Sequence, residues 1–163
     1  RNQGMRARSQ YEMAGNNYRL TDLQAALVIP QLDRYEQTVA QRQQNAAKLN
    51  AGLLDVPGLF VPEQLDGRRH VWHQYTVRLS DEAALTRDEL VASLGERGIG
   101  CGIYYPIVVF DYDAYRAHDL VRISDVPVAE RVAAQSVSLP VHVHLSDDDI
   151  ATIISTVREL LGA

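Results

Sequence analysis

Histidine and cysteine side chains are the residues of this sequence that could do chemistry without a longer motif around them. His142 and His144 are two residues apart, so on a strand they would point to one face and could share a metal ion. Spacing supplies no third ligand, which favours a structural or solvent-facing role for both. Cys101, the single cysteine, could be a nucleophile, but a lone strand cysteine is more often a small buried hydrophobe.

Longer chemical signatures are missing from the sequence. It contains no glycine-rich phosphate loop, no nucleophile elbow and no zinc signature. The residues taken one by one therefore predict a folded α+β domain without a resident metal.

Composition narrows the class of protein. With 46% hydrophobic and 23% charged residues the chain should fold around a core, and a net charge of -5 disfavours a nucleic-acid partner. No apolar run is long enough to span a membrane. The single cysteine is typical of a reducing compartment, so we expect a cytoplasmic protein. The chain does not begin with methionine, which suggests that it starts within a longer protein.

Apolar periodicity predicts the elements that must position the side chains. Residues 21–54 carry an apolar stripe at three- and four-residue steps, which indicates long helices, with a kink or a break at Pro30. The polar opening segment is typical of a loop. Alternation predicts three strands, and capping and periodic patterns predict three later helices. The strands are expected at 71–79, 99–105 and 137–143, and the helices at 87–97, from Asp125 and Pro127 onward, and after Ser146. This order indicates a small three-stranded sheet with helices on one face.

Several blocks of sequence resemble one protein family. They are GNNYRLTDLQAA, QLDRYEQTVAQRQQNAAKLNAGL, HVWHQYTVRL, RDELVASLGERGIGCGIYYP and VSLPVHVHLSDDDI. In this order and spacing they resemble the sugar aminotransferases of the DegT/DnrJ/EryC1/StrS family. The resemblance implies the C-terminal small domain of a fold-type I transferase that depends on pyridoxal 5'-phosphate. It implies a loop remnant of the large cofactor domain at 1–20, connecting helices at 21–54 and the small α+β domain at 55–163.

The resemblance also implies that this chain has no catalytic residue of its own. It places the Schiff-base lysine upstream of residue 1, whereas the only lysine here, Lys48, falls in the middle of a long helix. An amine nucleophile is required for the cofactor's carbonyl chemistry, so the chain alone is expected to be inactive.

Three residues match positions that the family uses at its site. Asn17 and Arg19 match a G-x-N-x-R motif, whose asparagine is implied to bind the cofactor phosphate of the partner subunit in a homodimer. The alternative is that both residues only stabilise a turn. Tyr105 matches a Y-P element at the mouth of the site, on the substrate side. The histidine that usually follows is replaced by Phe110, which leaves the identity of the sugar open.

The function implied by the resemblance is transfer of an amino group from an amino acid, with glutamate the expected donor, to the keto sugar of a nucleotide sugar. Such reactions serve polysaccharide or antibiotic sugar biosynthesis. Two alternatives stay open. One is a sugar dehydratase of the same family, with histidine in place of the cofactor lysine, and the other is a noncatalytic regulatory or scaffolding member.

Overall fold

The computed structural model describes residues 3–163, which form six α-helices and five strands. Contacts divide the chain into two compact units, one that ends at Thr38 and one that comprises Val39–Ala163. The boundary lies inside a continuous helix. The second unit contains a three-stranded sheet and a hydrophobic core, which confirms the predicted α+β class.

Part of the opening segment forms a short hairpin, so the prediction of a loop is wrong for residues 5–11. Strand β1 (Met5–Ala7) pairs antiparallel with β2 (Gln10–Tyr11), and the Glu12 N–H donates to the Gly4 carbonyl at 2.9 Å. Gly4 has a φ of 80°, and any side chain there would collide with the backbone opposite. Backbone bonds order this segment, and they leave no side-chain period for a sequence pattern to reveal.

Two consecutive helices follow, as predicted, but the break lies four residues after the expected one. Helix α1 (Asp22–Asp33) continues through Pro30, and α2 (Tyr35–Leu53) begins after Arg34. Proline removes one backbone donor, yet its fixed φ is compatible with a helix. The helix therefore tolerates Pro30 and ends elsewhere.

The sheet has the order β3-β4-β5, with both pairs antiparallel. Its strands are β3 (Leu59–Phe60), β4 (Tyr75–Leu79) and β5 (Ser136–Leu139). Every second residue of β4, starting at Tyr75, is buried in the core. Strand β3 was not predicted, because two residues are too few to show a period.

Two helices of the second unit begin where capping chemistry predicts. Helix α3 (Arg87–Glu96) and helix α6 (Asp147–Leu161) both have complete capping boxes at their first turns. Helix α4 (Asp113–Arg116) is a single turn, and α5 (Pro127–Gln135) has proline in its first turn, as expected.

Side chains from α2, α3 and α6 pack against the sheet and form the core. Their burial removes apolar surface from water, which is the main stabilising contribution. The helical residues that are at most 3% exposed within this cluster are Ala46, Leu49, Leu53, Leu90, Leu94, Ile150, Ile153, Val157 and Leu161.

The strand predicted over 71–79 begins four residues late. Trp72 has a left-handed φ of 49°, and its N–H donates to His70 Nδ1 at 2.8 Å. Arg42 and Gln43 of α2 donate to the carbonyls of residues 70, 72 and 73. These carbonyls are thus bonded to a helix and not to a neighbouring strand.

The strand predicted over 99–105 is reduced to one bridge. Gly102 and Ser138 exchange two backbone hydrogen bonds, at 2.9 and 2.8 Å. Extending that register would set Gly100 opposite Pro140, which has no N–H to donate. The ladder therefore stops after one pair.

Candidate cofactor and substrate site

Asn17 and Arg19 lie on an extended segment between the hairpin and α1. One end of the segment is tied by the Gln3 N–H, which donates to the Asn16 carbonyl at 3.3 Å. At the other end Thr21 begins α1 with a capping box, its hydroxyl accepting from a backbone N–H in the first turn. Both ends of this exposed segment are therefore ordered by hydrogen bonds.

The side chains of Asn17 and Arg19 contact each other directly. Arg19 Nε donates to Asn17 Oδ1 at 2.9 Å. Because Nε can only donate, it must face the amide oxygen, which leaves the two amide N–H groups of Asn17 directed elsewhere. Among residues 3–163 neither these N–H groups nor the terminal guanidinium nitrogens have a hydrogen-bond partner.

This donor set suits a phosphate group. An amide and a guanidinium together offer several N–H donors and one fixed positive charge, and phosphate oxygens accept strong charge-assisted hydrogen bonds. Both side chains are exposed, so an anion could reach them. Their chemistry therefore fits the phosphate end of pyridoxal phosphate.

Tyr105 belongs to the second unit and lies at the edge of a cavity of about 430 Å³. Its side chain is 79% exposed. The cavity lies between the sheet and α5, and its walls are largely apolar. They include Thr76, Tyr104, Ile107, Val108, Ala129, Val132 and Ser138. The hydroxyls of Thr76 and Ser138 bond to each other at 2.7 Å, so they are already satisfied.

Phe110, at the position where the resemblance implies a histidine, lies in a short 3-10 turn, Val109–Asp111. Among the described residues that line the Tyr105 cavity, Phe110 does not appear. The cavity wall near Tyr105 is largely apolar, and Gln74 and Tyr104 add polar side-chain groups to it.

A second cavity, of about 720 Å³, lies wholly within the second unit, and the sequence patterns did not predict it. Arg42, His73 and His142 contribute to its wall. The signal that could have found it is Arg42, a charged residue on the apolar stripe of α2. The Ser146 hydroxyl and N–H, with His142 nearby, hold the pKa of Asp149 at its rim below the usual range.

The histidines and the cysteine show no sign of catalytic use. The rings of His142 and His144 lie 6.1 Å apart, in the loop after β5 and not on a strand. Within residues 3–163 no three His, Cys, Asp or Glu side chains are grouped so that they could hold a metal ion. Burial raises the pKa of the Cys101 thiol to about 11, which keeps it protonated near neutral pH and weakens it as a nucleophile.

Lys48 is a surface residue of α2. Its Nζ forms an ion pair with Asp147 Oδ1, and its side chain is 44% exposed. Neither cavity is lined by Lys48. The amine is therefore engaged away from both cavities.

The sequence matches the DegT/DnrJ/EryC1/StrS aminotransferase family over residues 1–158. The chain therefore belongs to this family, and the family assignment made from the motifs is confirmed.

Curated relatives resemble the chain along almost its whole length. A dTDP-3-amino-3,4,6-trideoxy-alpha-D-glucose transaminase of Streptomyces venezuelae is 35% identical over 98% of this chain and 40% of the relative. The spore coat polysaccharide biosynthesis protein SpsC of Bacillus subtilis is 31% identical over 93% of this chain and 40% of the relative. A pleiotropic regulatory protein of Geobacillus stearothermophilus is 34% identical over 96% of this chain and 41% of the relative. The chain thus spans about two fifths of the length of these relatives.

Solved structures confirm the fold class. The crystal structure of S. venezuelae DesV in complex with a ketimine intermediate aligns with a TM-score of 0.83 at 33% identity, over 99% of this chain and 42% of DesV. A family aminotransferase from Brucella abortus aligns with a TM-score of 0.80 at 31% identity, over 99% of this chain and 41% of the Brucella protein. The chain therefore has the fold of the C-terminal part of these aminotransferases.

Among the described residues, no helix combines the length and the apolar character needed to cross a membrane.

Proposed function

We propose that this chain is the C-terminal portion of a nucleotide-sugar aminotransferase that depends on pyridoxal phosphate. The complete protein would move an amino group from an amino acid, with glutamate as the expected donor, to a keto sugar. The named relatives support this proposal, because the S. venezuelae relative is a sugar transaminase and SpsC belongs to polysaccharide biosynthesis.

The hydrogen-bonded pair of Asn17 and Arg19 is the observation that carries the proposal. Arg19 Nε occupies the amide oxygen at 2.9 Å and so presents the amide N–H groups of Asn17 as donors. We infer that these N–H groups and the guanidinium hold the cofactor phosphate. Such charge-assisted hydrogen bonds contribute roughly 1.5–3 kcal/mol each.

When bound, pyridoxal phosphate supplies the carbonyl and the electron sink through which an amino group is exchanged. The residues of this chain would orient the reactants. Tyr105, exposed beside an apolar cavity, would face the sugar with its phenol hydroxyl, while the cavity wall would exclude water from that side.

The exposed apolar side chains of helix α1 favour a partner subunit that covers them, as in a homodimer. No residue of α1 is buried within the described chain, and Leu23, Leu27 and Leu32 are 72%, 62% and 64% exposed. Exposed apolar patches of this kind typically mark interaction surfaces. A second subunit that covers α1 would bring the Asn17 segment next to a partner's site, as the family resemblance implies.

The chain alone is proposed to be inactive. Its only lysine, Lys48, is paired with Asp147 and lines neither cavity, so it offers no free amine to the cofactor. In the complete protein the lysine would come from the large domain, of which residues 1–20 are proposed to be the end.

The proposal is tested on the complete protein that contains this chain. Reduction with borohydride in the presence of pyridoxal phosphate, followed by peptide mass spectrometry, should find the adduct on a lysine outside the 163 residues. An adduct on Lys48 would contradict the proposal. Cofactor binding without a lysine adduct would favour the dehydratase, and no binding would favour the noncatalytic member.

Variants then test the phosphate pair itself. Arg19→Gln and Asn17→Ala should each weaken cofactor affinity by roughly tenfold or more, because each removes charge-assisted donors. Arg34→Gln is the matched control, since Arg34 is an exposed arginine at the C-cap of α1 whose guanidinium donates to the Pro30 carbonyl. Equal affinity of all three variants would show that Asn17 and Arg19 only stabilise the turn.

A further inference from the structure

Arg42 is a partly buried cation that no carboxylate within residues 3–163 neutralises. Its Nη1 donates to the carbonyls of Trp72 at 2.9 Å and His73 at 3.1 Å. Nε and Nη2 have no hydrogen-bond partner among the same residues. Charges that are withdrawn from water are normally paired, so the free side of this guanidinium favours an anionic ligand.

The guanidinium lines the cavity of about 720 Å³ in the second unit. The lining contains one carboxylate, Asp149, whose oxygen accepts from both the hydroxyl and the N–H of Ser146. A second lining arginine, Arg97, is paired with Glu159. Arg42 is therefore the lining cation without a counterion in the described part of the chain.

Backbone donors also line this cavity. The N–H groups of Gly100 and Cys101 have no hydrogen-bond partner among residues 3–163. Both residues line the cavity. A Cβ added at Gly100 would meet nothing within 4 Å, so the backbone there is open to a ligand.

The cavity wall is held in place by α2. Arg42 bonds the His73 carbonyl, and Asn45, one turn later, donates to the His142 carbonyl at 2.9 Å. Both imidazoles line the cavity, and their ring N–H groups are further possible donors. The site is thus preorganised before any ligand enters.

We propose that this cavity binds a phosphate group, free or as a monoester, with Arg42 as its counterion and the N–H groups of Gly100 and Cys101 as further donors. Three or more donors match the oxygens of phosphate better than the two oxygens of a carboxylate. The volume leaves room for an organic substituent on the ester. Asn17 and Arg19 belong to the other unit and take no part, so the inference goes beyond the proposed function.

Amide NMR of the 163-residue chain tests the site, with inorganic phosphate added at constant ionic strength. The amides of Gly100 and Cys101 and the Nε–H of Arg42 should shift saturably. Gly100→Asp should weaken phosphate binding by about tenfold, because a carboxylate placed a few ångströms from the anion repels it. Gly95→Asp is the matched control, since Gly95 is also open to a side chain but does not line the cavity. Its affinity should stay within about twofold of the parent.

Three results would overturn the proposal. The first is the lack of any shift at these amides up to about 50 mM phosphate, far above a millimolar dissociation constant. The second is an equal loss of affinity in Gly100→Asp and Gly95→Asp, which would mean a general charge effect. The third is glutamate binding as tightly as phosphate at the same amides, which would assign the site to carboxylates. Gly100→Ala should bind phosphate as tightly as the parent, which would show that the loss of affinity in Gly100→Asp comes from the added charge.

Discussion

Asn45 offers the sharpest test of how α2 organises the second unit. Its side chain is completely buried, Nδ2 donates to the His142 carbonyl at 2.9 Å, and Oδ1 accepts from Gln41 Nε2 at 3.0 Å. Asn45→Ala removes both bonds and leaves the His142 carbonyl without its donor. Each of the two hydrogen bonds contributes about 1 kcal/mol, and truncation of a completely buried side chain leaves a small cavity as well, so we expect a loss of roughly 2–4 kcal/mol in unfolding free energy.

Two further variants separate the donor from simple loss of volume. Asn45→Asp keeps the shape but sets a carboxylate against a carbonyl oxygen, so it should destabilise the chain more than Asn45→Ala. Gln41→Ala keeps the bond to the His142 carbonyl but leaves the amide oxygen of the buried Asn45 without its donor, so it should cost about 1 kcal/mol or somewhat more, less than the loss of both bonds. The predicted order of stability is therefore parent, Gln41→Ala, Asn45→Ala and Asn45→Asp.

The measurement is urea unfolding, monitored by far-ultraviolet circular dichroism and by the fluorescence of Trp72. Trp72 is the only tryptophan and is 4% exposed, so its emission should report opening of the segment that Arg42 bonds. A loss below about 0.5 kcal/mol for Asn45→Ala would refute the reasoning. An Asn45→Asp variant as stable as the parent would do the same, because it would show that the donor is not needed.

Two other predictions concern the ends and contacts of helices. Hydrogen bonds from Ser146 lower the pKa of Asp149 below its ordinary value of 3.8, so its stabilising contribution is present above that pH and is lost as the pH falls through the lower folded-state pKa. The urea midpoint of Asp149→Asn should therefore decrease less between pH 5 and pH 3 than the midpoint of the parent. An equal decrease in both would contradict the assignment. Gly52→Ala would set a Cβ 2.6 Å from Ile154 Cδ1 and should destabilise the chain by roughly 1–3 kcal/mol. The double variant with Ile154→Ala should lose less than the sum of the single changes, as a double-mutant cycle can measure, and strict additivity would show that the contact is not strained.

Local sequence determined the elements whose signals lie within a few residues of one another. The capping boxes that begin α3 and α6 pair side chains with backbone groups three residues away, so their positions could be read directly. Pro127 begins α5 for an equally local reason, whereas the strand predicted over 137–143 ends at Leu139, directly before Pro140. The motif around Asn17 and Arg19 likewise indicated the family, which the match over residues 1–158 confirms.

The tertiary structure decided what depends on partners far away in the chain. The segment before Tyr75 alternates like a strand, yet Arg42 and Gln43, about thirty residues earlier, bond its carbonyls and hold Trp72 in a left-handed turn. The Arg42 cavity is lined by residues from distant parts of the chain, among them Arg42, Gly100 and His142. A sequence period records which side of an element faces the core. It does not record which backbone groups find a partner, because that depends on elements brought together only when the chain folds.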